Sequence, residues 1–318
     1  MLNTGDSFGA STIVRLVSDE GHFSFVFEGS HPVHGESIAI KISKPTITDA
    51  DDIQRFVHEN EILHTLHTPD RHPHIIFPLS GIEHAPNLHY LMELADSRLD
   101  KFIITNEETI TFEDKINFFR KICLALGHAH GLGIAHRDLH WKNVLIKLEE
   151  EVNEIKVGDF GRAKNINAPH TFSSLGVMGG INTIWPPEVF FAPVETLAMS
   201  HYVATDMFAL GLLLFYILQG SPLEFQGKVT ASVDNFLRVN MVPELTGVNV
   251  TERNRYYRLW VSGAMHASQT PINLTVSLPP EMASQEVILN NVLNRLCNID
   301  FDLRYSSTSD ILRDMEAV

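Results

Sequence analysis

The chain has 318 residues, 44% of them hydrophobic and 20% charged, a composition that supports a buried core and excludes a disordered chain. Its formal net charge of -15 argues against a general nucleic-acid binder, because phosphate backbones are held by an excess of Lys and Arg. The two cysteines, Cys123 and Cys297, lie in no CxxC or Cys/His run, so neither a disulfide framework nor a zinc site is expected and a reducing compartment is the simplest home. The start, MLNTGDSFGASTIV, lacks the basic and apolar regions of a signal peptide. The longest apolar run, Met207 to Leu218, is too short to span a bilayer and reads as a buried helix, which makes the sequons at Asn249 and Asn273 chance matches. His64 with His67 and His72 with His74 lack the carboxylate companions of a metal site and are not read as ligands.

The glycine-rich GDSFGAS falls in a flexible leader expected over residues 1–11. From Arg15 to Ile42, FSFVFEG and ESIAIKI alternate apolar and polar residues around a turn at Gly35, as antiparallel strands do. DADDIQRFVHENEILHTL then puts Ile53, Phe56, Glu59 and Leu63 on one helical stripe, so a carboxylate points inward among apolar neighbours. After the strand LHYLMEL the chain becomes mostly helical. TFEDKINFFRKICLALGHAH opens on a Thr111 to Asp114 capping pattern and carries Ile116, Phe119, Cys123 and Leu126 inward. A second apolar helix covers TDMFALGLLLFYIL, and a final helical pair brackets VLNRLCNIDFDLRYSSTSDILRDM. The stretch from about Ser221 to Ser284, with scattered prolines, reads either as an elaborated helical region or as a long surface excursion.

The chemistry concentrates in IAHRDLHWKNVLI, where Asp138 and Asn143 are five apart, followed by IKVGDFG with Asp159. Phosphoryl transfer needs a carboxylate to orient a hydroxyl and accept its proton, together with oxygen ligands that hold a hard cation on the phosphates. Asp138 fits the first role, and Asn143 and Asp159 fit the second, with the oxygens that Mg²⁺ prefers.

With these motifs the chain resembles eukaryotic-type protein kinases from about Arg15 to Met315. The resemblance implies an α+β, bilobal fold: an antiparallel-sheet N-lobe with one helix over about 12–92, a hinge over about 93–97 and a mainly helical C-lobe over about 98–316, the domain filling 12–316. It further implies ATP and Mg²⁺ or Mn²⁺ as cofactors, a protein substrate, a Ser/Thr acceptor and a cytoplasmic, nuclear or host-cytosolic setting, with no nucleic acid and no membrane span. IAIKI is similar to the family's VAIK, so Lys41 is expected on the phosphates, with Glu59 as its partner. Gly21, Phe23, Val26, Ala39, Met92 and Leu145 are implied around ATP, with backbone groups of Glu93 and Ala95 on adenine. WPPE resembles the family's APE, with Glu188 expected to pair with Arg304, and Asp206 and Gly211 match the DxxxxG of its central helix.

The chain departs from the family in places. The phosphate loop, DEGHFSFVF, places Asp19, Gly21 and Ser24 where three glycines are usual, so ATP is expected to sit less snugly. His140 stands where Ser/Thr kinases carry Lys, and Lys142 lies two further on; either is a candidate to reach the γ-phosphate. HRDLHW is similar to haspin-like kinases, whose usual form lacks the intact DFG. Ile181 replaces a threonine that steadies the base in many Ser/Thr kinases. Arg137 is placed to clamp an activation-segment phosphate, with Thr171, Ser173, Ser174 and Thr183 as candidate acceptors. An active protein kinase is the leading expectation, a pseudokinase or binding module the alternative and a small-molecule phosphotransferase the third.

Overall fold

The computed structural model describes residues 3–21, 23–47, 49–84, 87–149, 153–167, 186–191, 199–220, 226–240, 248–266 and 275–318. The chain forms two compact units, one of Met1–Phe102 with Lys142–Ala163, the other of Ile103–Trp141 with Lys164–Val318.

The first unit is built on a five-stranded antiparallel sheet in the order β1 (Ser7–Phe8), β2 (Ser11–Ser18), β3 (Ser24–His31), β4 (Gly35–Ser43) and β5 (His89–Glu93). Gly35 takes a φ of 104° at the β3–β4 turn, a conformation that costs other residues strain. The alternating side chains meet on one face, where Ile13, Phe27, Ile38, Ile40, Ile42 and Leu91 form the core. Phe8 joins that core, and Gly5 N–H donates to the Ile13 carbonyl at 2.8 Å. The leader expected over 1–11 is therefore corrected: from Gly5 onward it is an edge hairpin, because burying Phe8 is worth roughly 1.5–3 kcal/mol, enough to order a short strand.

Helix α1 (Ala50–Leu66) turns Phe56, Ile62, Leu63 and Leu66 inward and carries three buried polar residues, His58, Glu59 and Asn60. Beyond β5, the short β6 (Ser97–Arg98) and the start of α2 (Leu99–Thr105) stay in this unit. β8 (Val144–Lys147) and β9 (Glu154–Val157) belong to it as well, since β8 pairs with β6 and Ile76 N–H donates to the Val157 carbonyl. The unit boundary thus falls inside α2 and again after Trp141, and not at the expected hinge over 93–97, because these non-local pairings hold the later hairpin to the sheet-bearing unit.

The second unit is mostly helical. α3 (Phe112–Gly131) begins with a reciprocal capping box: Asp114 N–H donates to Thr111 Oγ1 at 3.1 Å and Thr111 N–H to Asp114 Oδ2 at 3.0 Å. Its buried stripe includes Ile116, Phe119, Cys123 and Leu126. β7 (Ile134–Ala135) pairs with β10 (Lys164–Asn165). α4 (Met199–Gln219) is long and apolar enough to cross a membrane by composition, yet most of it is buried within the unit as a core helix. Within 221–284 the structure places α5 (Gln226–Val239) and α6 (Val250–His266), and Tyr257, Trp260 and Val261 anchor the latter. α7 (Ala283–Leu296) and α8 (Thr308–Asp314) close the chain, with Leu289, Val292, Leu293 and Ile311 buried.

Candidate active site

In the first unit β4 presents Lys41 toward α1. Both Glu59 carboxylate oxygens accept from Lys41 Nζ, at 2.7 and 2.6 Å, and Asp159 Oδ1 lies 3.7 Å from the same nitrogen. Burial alone would lower the Lys41 pKa; the charges of Glu59 and Asp159 outweigh it and hold the ammonium above the usual lysine value. Glu61, the other glutamate on the helix, is exposed. The fully buried Tyr90 hydroxyl stands against Glu59 without hydrogen-bond geometry, and burial drives its pKa well up. His58, one residue before Glu59, bonds the Ala163 carbonyl through Nε2 at 3.0 Å, tying α1 to the end of the DFG segment.

Asp159 holds a φ of 57°, unusual for a residue with a side chain. Phe160 beside it is fully buried, whereas the Asp159 side chain is half exposed. Asn143 is buried, and its backbone carbonyl accepts Gly158 N–H at 2.9 Å, which fixes the two metal-ligand candidates on one short hairpin. An amide and a carboxylate oxygen, one sheltered and one open to solvent, suit a hard divalent cation. Among the described residues no group of three or more His, Cys, Asp or Glu forms a cage of its own. The histidine pairs do other work: His67 Nε2 bonds the Ile76 carbonyl at 3.0 Å, and its Nδ1 takes His72 N–H.

Ala39 and Met92 are cross-strand partners on β4 and β5, both buried, and Val26 pairs with Lys41. Leu145 is on β8, in reach of a side chain added at Gly158. Glu93 N–H donates to the Phe77 carbonyl at 2.9 Å and so is already engaged, while Ala95 follows as a half-buried residue beyond the strand. The Glu93 side chain has a structural role that the sequence does not announce. It accepts Phe77 N–H at 2.8 Å and Arg71 at 2.5 Å, with Lys156 at 3.4 Å.

The phosphate loop between β2 and β3 is tied down by its own contacts. Lys44 Nζ donates to the Asp19 carbonyl at 2.9 Å, Lys44 N–H to the Phe23 carbonyl at 3.0 Å, and Arg98 grips Glu20 at 2.5 Å. The Arg55 guanidinium lies over the Phe23 ring. Gly21 does not use a left-handed conformation, and a Cβ there would press on the Ser24 carbonyl at 3.1 Å. Lys142 Nζ is 3.9 Å from Glu20.

In the second unit the catalytic loop hangs on Asp206, fully buried on α4. Its carboxylate accepts His136 N–H at 2.8 Å, Arg137 N–H at 2.7 Å and His130 Nε2 at 2.8 Å. Burial pushes the Asp206 pKa up, but the His130 bond and these N–H donors win and hold it below the usual carboxylate range. They also hold Arg137 at a φ of 66°, a strained conformation costing about 1–3 kcal/mol. Asp138 and His140, both buried, face each other with His140 Nε2 at 3.9 Å from Asp138 Oδ1. Trp141 stacks on Tyr216 of α4 at 4.7 Å, bracing the same loop. The Arg137 guanidinium lies over the Tyr202 ring, and burial, with the Arg137 charge, lowers the Lys164 pKa.

Glu188, in a 3-10 turn at Pro187–Phe190, forms a bidentate pair with Arg304 at 2.6 and 2.7 Å, both side chains buried. Arg304 also donates to the Ala204 and Asn298 carbonyls at 2.8 Å each. Thr171, Ser173, Ser174, Ile181 and Thr183 lie outside the described residues.

The first unit thus holds a lysine gripped by a helix carboxylate and an Asp-Phe-Gly turn, and the second a His-Arg-Asp loop suspended from a buried aspartate. The protein kinase domain family matches residues 19–314, and the chain belongs to it; its fold is the bilobal α+β kinase fold. It is 28% identical over 214 residues to a serine/threonine-protein kinase of Drosophila erecta, covering 66% of this chain and 26% of that one. A probable serine/threonine-protein kinase of Clostridium perfringens is 26% identical over 234 residues, covering 73% of this chain and 32% of that one. Myosin light chain kinase A of Dictyostelium discoideum is 27% identical over 222 residues, 69% of this chain and 70% of that one. The chain thus spans about a quarter of the Drosophila relative's length. The family works on protein substrates with ATP and a divalent metal.

Proposed function

We propose that the chain is an active protein kinase that transfers the γ-phosphoryl group of ATP to Ser or Thr hydroxyls. The observation that carries this reading is the Lys41–Glu59 pair, a buried arrangement that desolvates two charges and is costly to keep without use, with the half-exposed Asp159 beside it. In this reading Asp138 orients the acceptor hydroxyl and takes its proton. The acceptor oxygen bonds to the γ-phosphorus as the bond to the β–γ bridging oxygen breaks, and ADP leaves. Lys41 holds the α- and β-phosphates, and Glu59 fixes where its ammonium points. Asn143 and Asp159 would hold magnesium, whose charge offsets that of the phosphates. His140, beside Asp138, helps to place the acceptor. The Ser/Thr assignment is supported by the names of the relatives, and a reducing, cytoplasmic setting by the burial of the thiols of Cys123 and Cys297, the latter pushed up to about 12 by burial.

A binding module with weak transfer is the second reading, favoured by the acidic phosphate loop with Glu20 held by Arg98. The two separate by incubation with γ-labelled ATP and Mg²⁺ on casein, histone and myelin basic protein, followed by phosphoamino-acid analysis. Phosphoserine or phosphothreonine supports the kinase reading. Phosphotyrosine alone would overturn the acceptor assignment, and no label in any substrate or in the chain itself would favour the binding module.

A further inference from the structure

In a chain of net charge -15, Arg98, Lys101 and Lys142 of the first unit act together on one exposed carboxylate. Arg98 ends β6, Lys101 follows in the first turn of α2, and Lys142 opens the segment that returns to this unit. Asp100 takes Arg98 Nε and Nη2 at 3.0 and 2.8 Å, which fixes the guanidinium plane and leaves Nη1 pointing at Glu20. Glu20 is itself half exposed, in the phosphate loop, and Lys142 Nζ lies 3.9 Å from the same Oε2 that Arg98 holds. The Arg98 hydrogen bond, with the charges of Lys142 and Lys101, holds Glu20 below the usual carboxylate range. Arg98 and Lys142 therefore meet at Glu20, with the charge of Lys101 acting on it as well, and Glu20 sits on a surface loop that shares no element with them.

We propose that Arg98, Lys101 and Lys142 form a recognition site for an acidic side chain of the protein substrate, and that Glu20 fills this site in cis when no substrate is bound. The proposal rests on the protein-kinase reading for the word substrate, but the site itself is a matter of charge and geometry. Lys142 stands four residues after the expected base, so an acid bound here belongs to the chain that carries the acceptor hydroxyl. Arg98 offers one rigid donor and the two lysines offer mobile ones, a combination that reads charge more than shape. Glu20 then acts as a competitor: an acidic peptide displaces it, and a neutral peptide has no means to. Displacement also frees the phosphate loop from Arg98.

The test uses the full chain and two fluorescein-labelled serine peptides, one flanked by Glu and the other by Gln at the same positions. Binding is read by anisotropy at low and high salt. The wild type should bind the Glu peptide more tightly, and salt should erase the difference. Glu20→Gln should widen the preference by about three- to ten-fold, the range that one or two partly screened ion pairs support. Arg98→Gln and Lys101→Gln should narrow it; Lys101 is an exposed position whose replacement leaves packing alone. An equal affinity for both peptides in the wild type, or a Glu20→Gln variant that changes both affinities alike, overturns the proposal. Phosphoryl transfer is measured in parallel. A charge preference without transfer sinks the kinase reading and keeps the site, whereas transfer to both peptides alike sinks the site and keeps the kinase reading.

Discussion

Replacing Arg304 by Ala removes a side chain that is wholly buried and makes four hydrogen bonds, two to Glu188 and one each to the Ala204 and Asn298 carbonyls. The loss leaves the Glu188 carboxylate in a buried position without its countercharge. Breaking one side of a buried pair costs about 3–5 kcal/mol, and most of that is the stranded charge. The ordinary unfolding entropy of about 2.1 cal/mol/K per residue converts this to a fall in Tm of roughly 5–8 °C for a chain of this length. Differential scanning fluorimetry and urea unfolding measure it. Glu188→Gln with Arg304→Met should recover part of the loss, because the double variant buries no unpaired charge. A change below about 1 kcal/mol for Arg304→Ala would mean that the pair behaves as an exposed one, against its burial here.

Other outcomes follow from the same packing. Phe8→Ala should cost about 3 kcal/mol in urea unfolding, because the ring belongs to the sheet core; a neutral result would restore the reading of a loose leader. Gly211→Ala should cost about 1–3 kcal/mol, since a Cβ there meets Cys297 Sγ and lies 2.9 Å from Leu296 Cβ, on the face where α4 packs on α7. Asp206, whose pKa is held down in the fold, stabilises the protein above the ordinary aspartate range near ~3.9 and loses that contribution as pH falls through its folded pKa. Asp206→Asn should therefore flatten the acid limb of the stability–pH curve, and parallel limbs for the two proteins would count against its role.

The local parts of this site were legible because each is written in a few consecutive residues. The Asp138 to Asn143 spacing, the Asp159 turn and the Thr111 to Asp114 capping box need no long-range information. The inward Glu59 was readable too, since helical periodicity puts it on the same stripe as Phe56 and Leu63, while Glu61 falls on the outer face. What escaped are contacts between distant segments. The Glu93 carboxylate draws on Phe77, Arg71 and Lys156, and nothing in MEL marks it as a buried anchor rather than a hinge residue. Phe8 lay hidden between glycines that suggest a loose chain, and only the hairpin to Ile13 accounts for its burial. α6 bears three buried anchors among polar residues, too few to raise a clear periodic signal between prolines. The partition into units escaped as well, because it depends on β6 pairing with β8 across the catalytic loop.

In the proposed reaction Asp138 serves the transfer step and not the binding of nucleotide. Single-turnover transfer from γ-labelled ATP, with ATP affinity measured separately, should show the Asp138→Asn variant binding ATP within about three-fold of wild type while transferring at least ~10²-fold more slowly. Equal transfer rates in the two proteins would contradict that role.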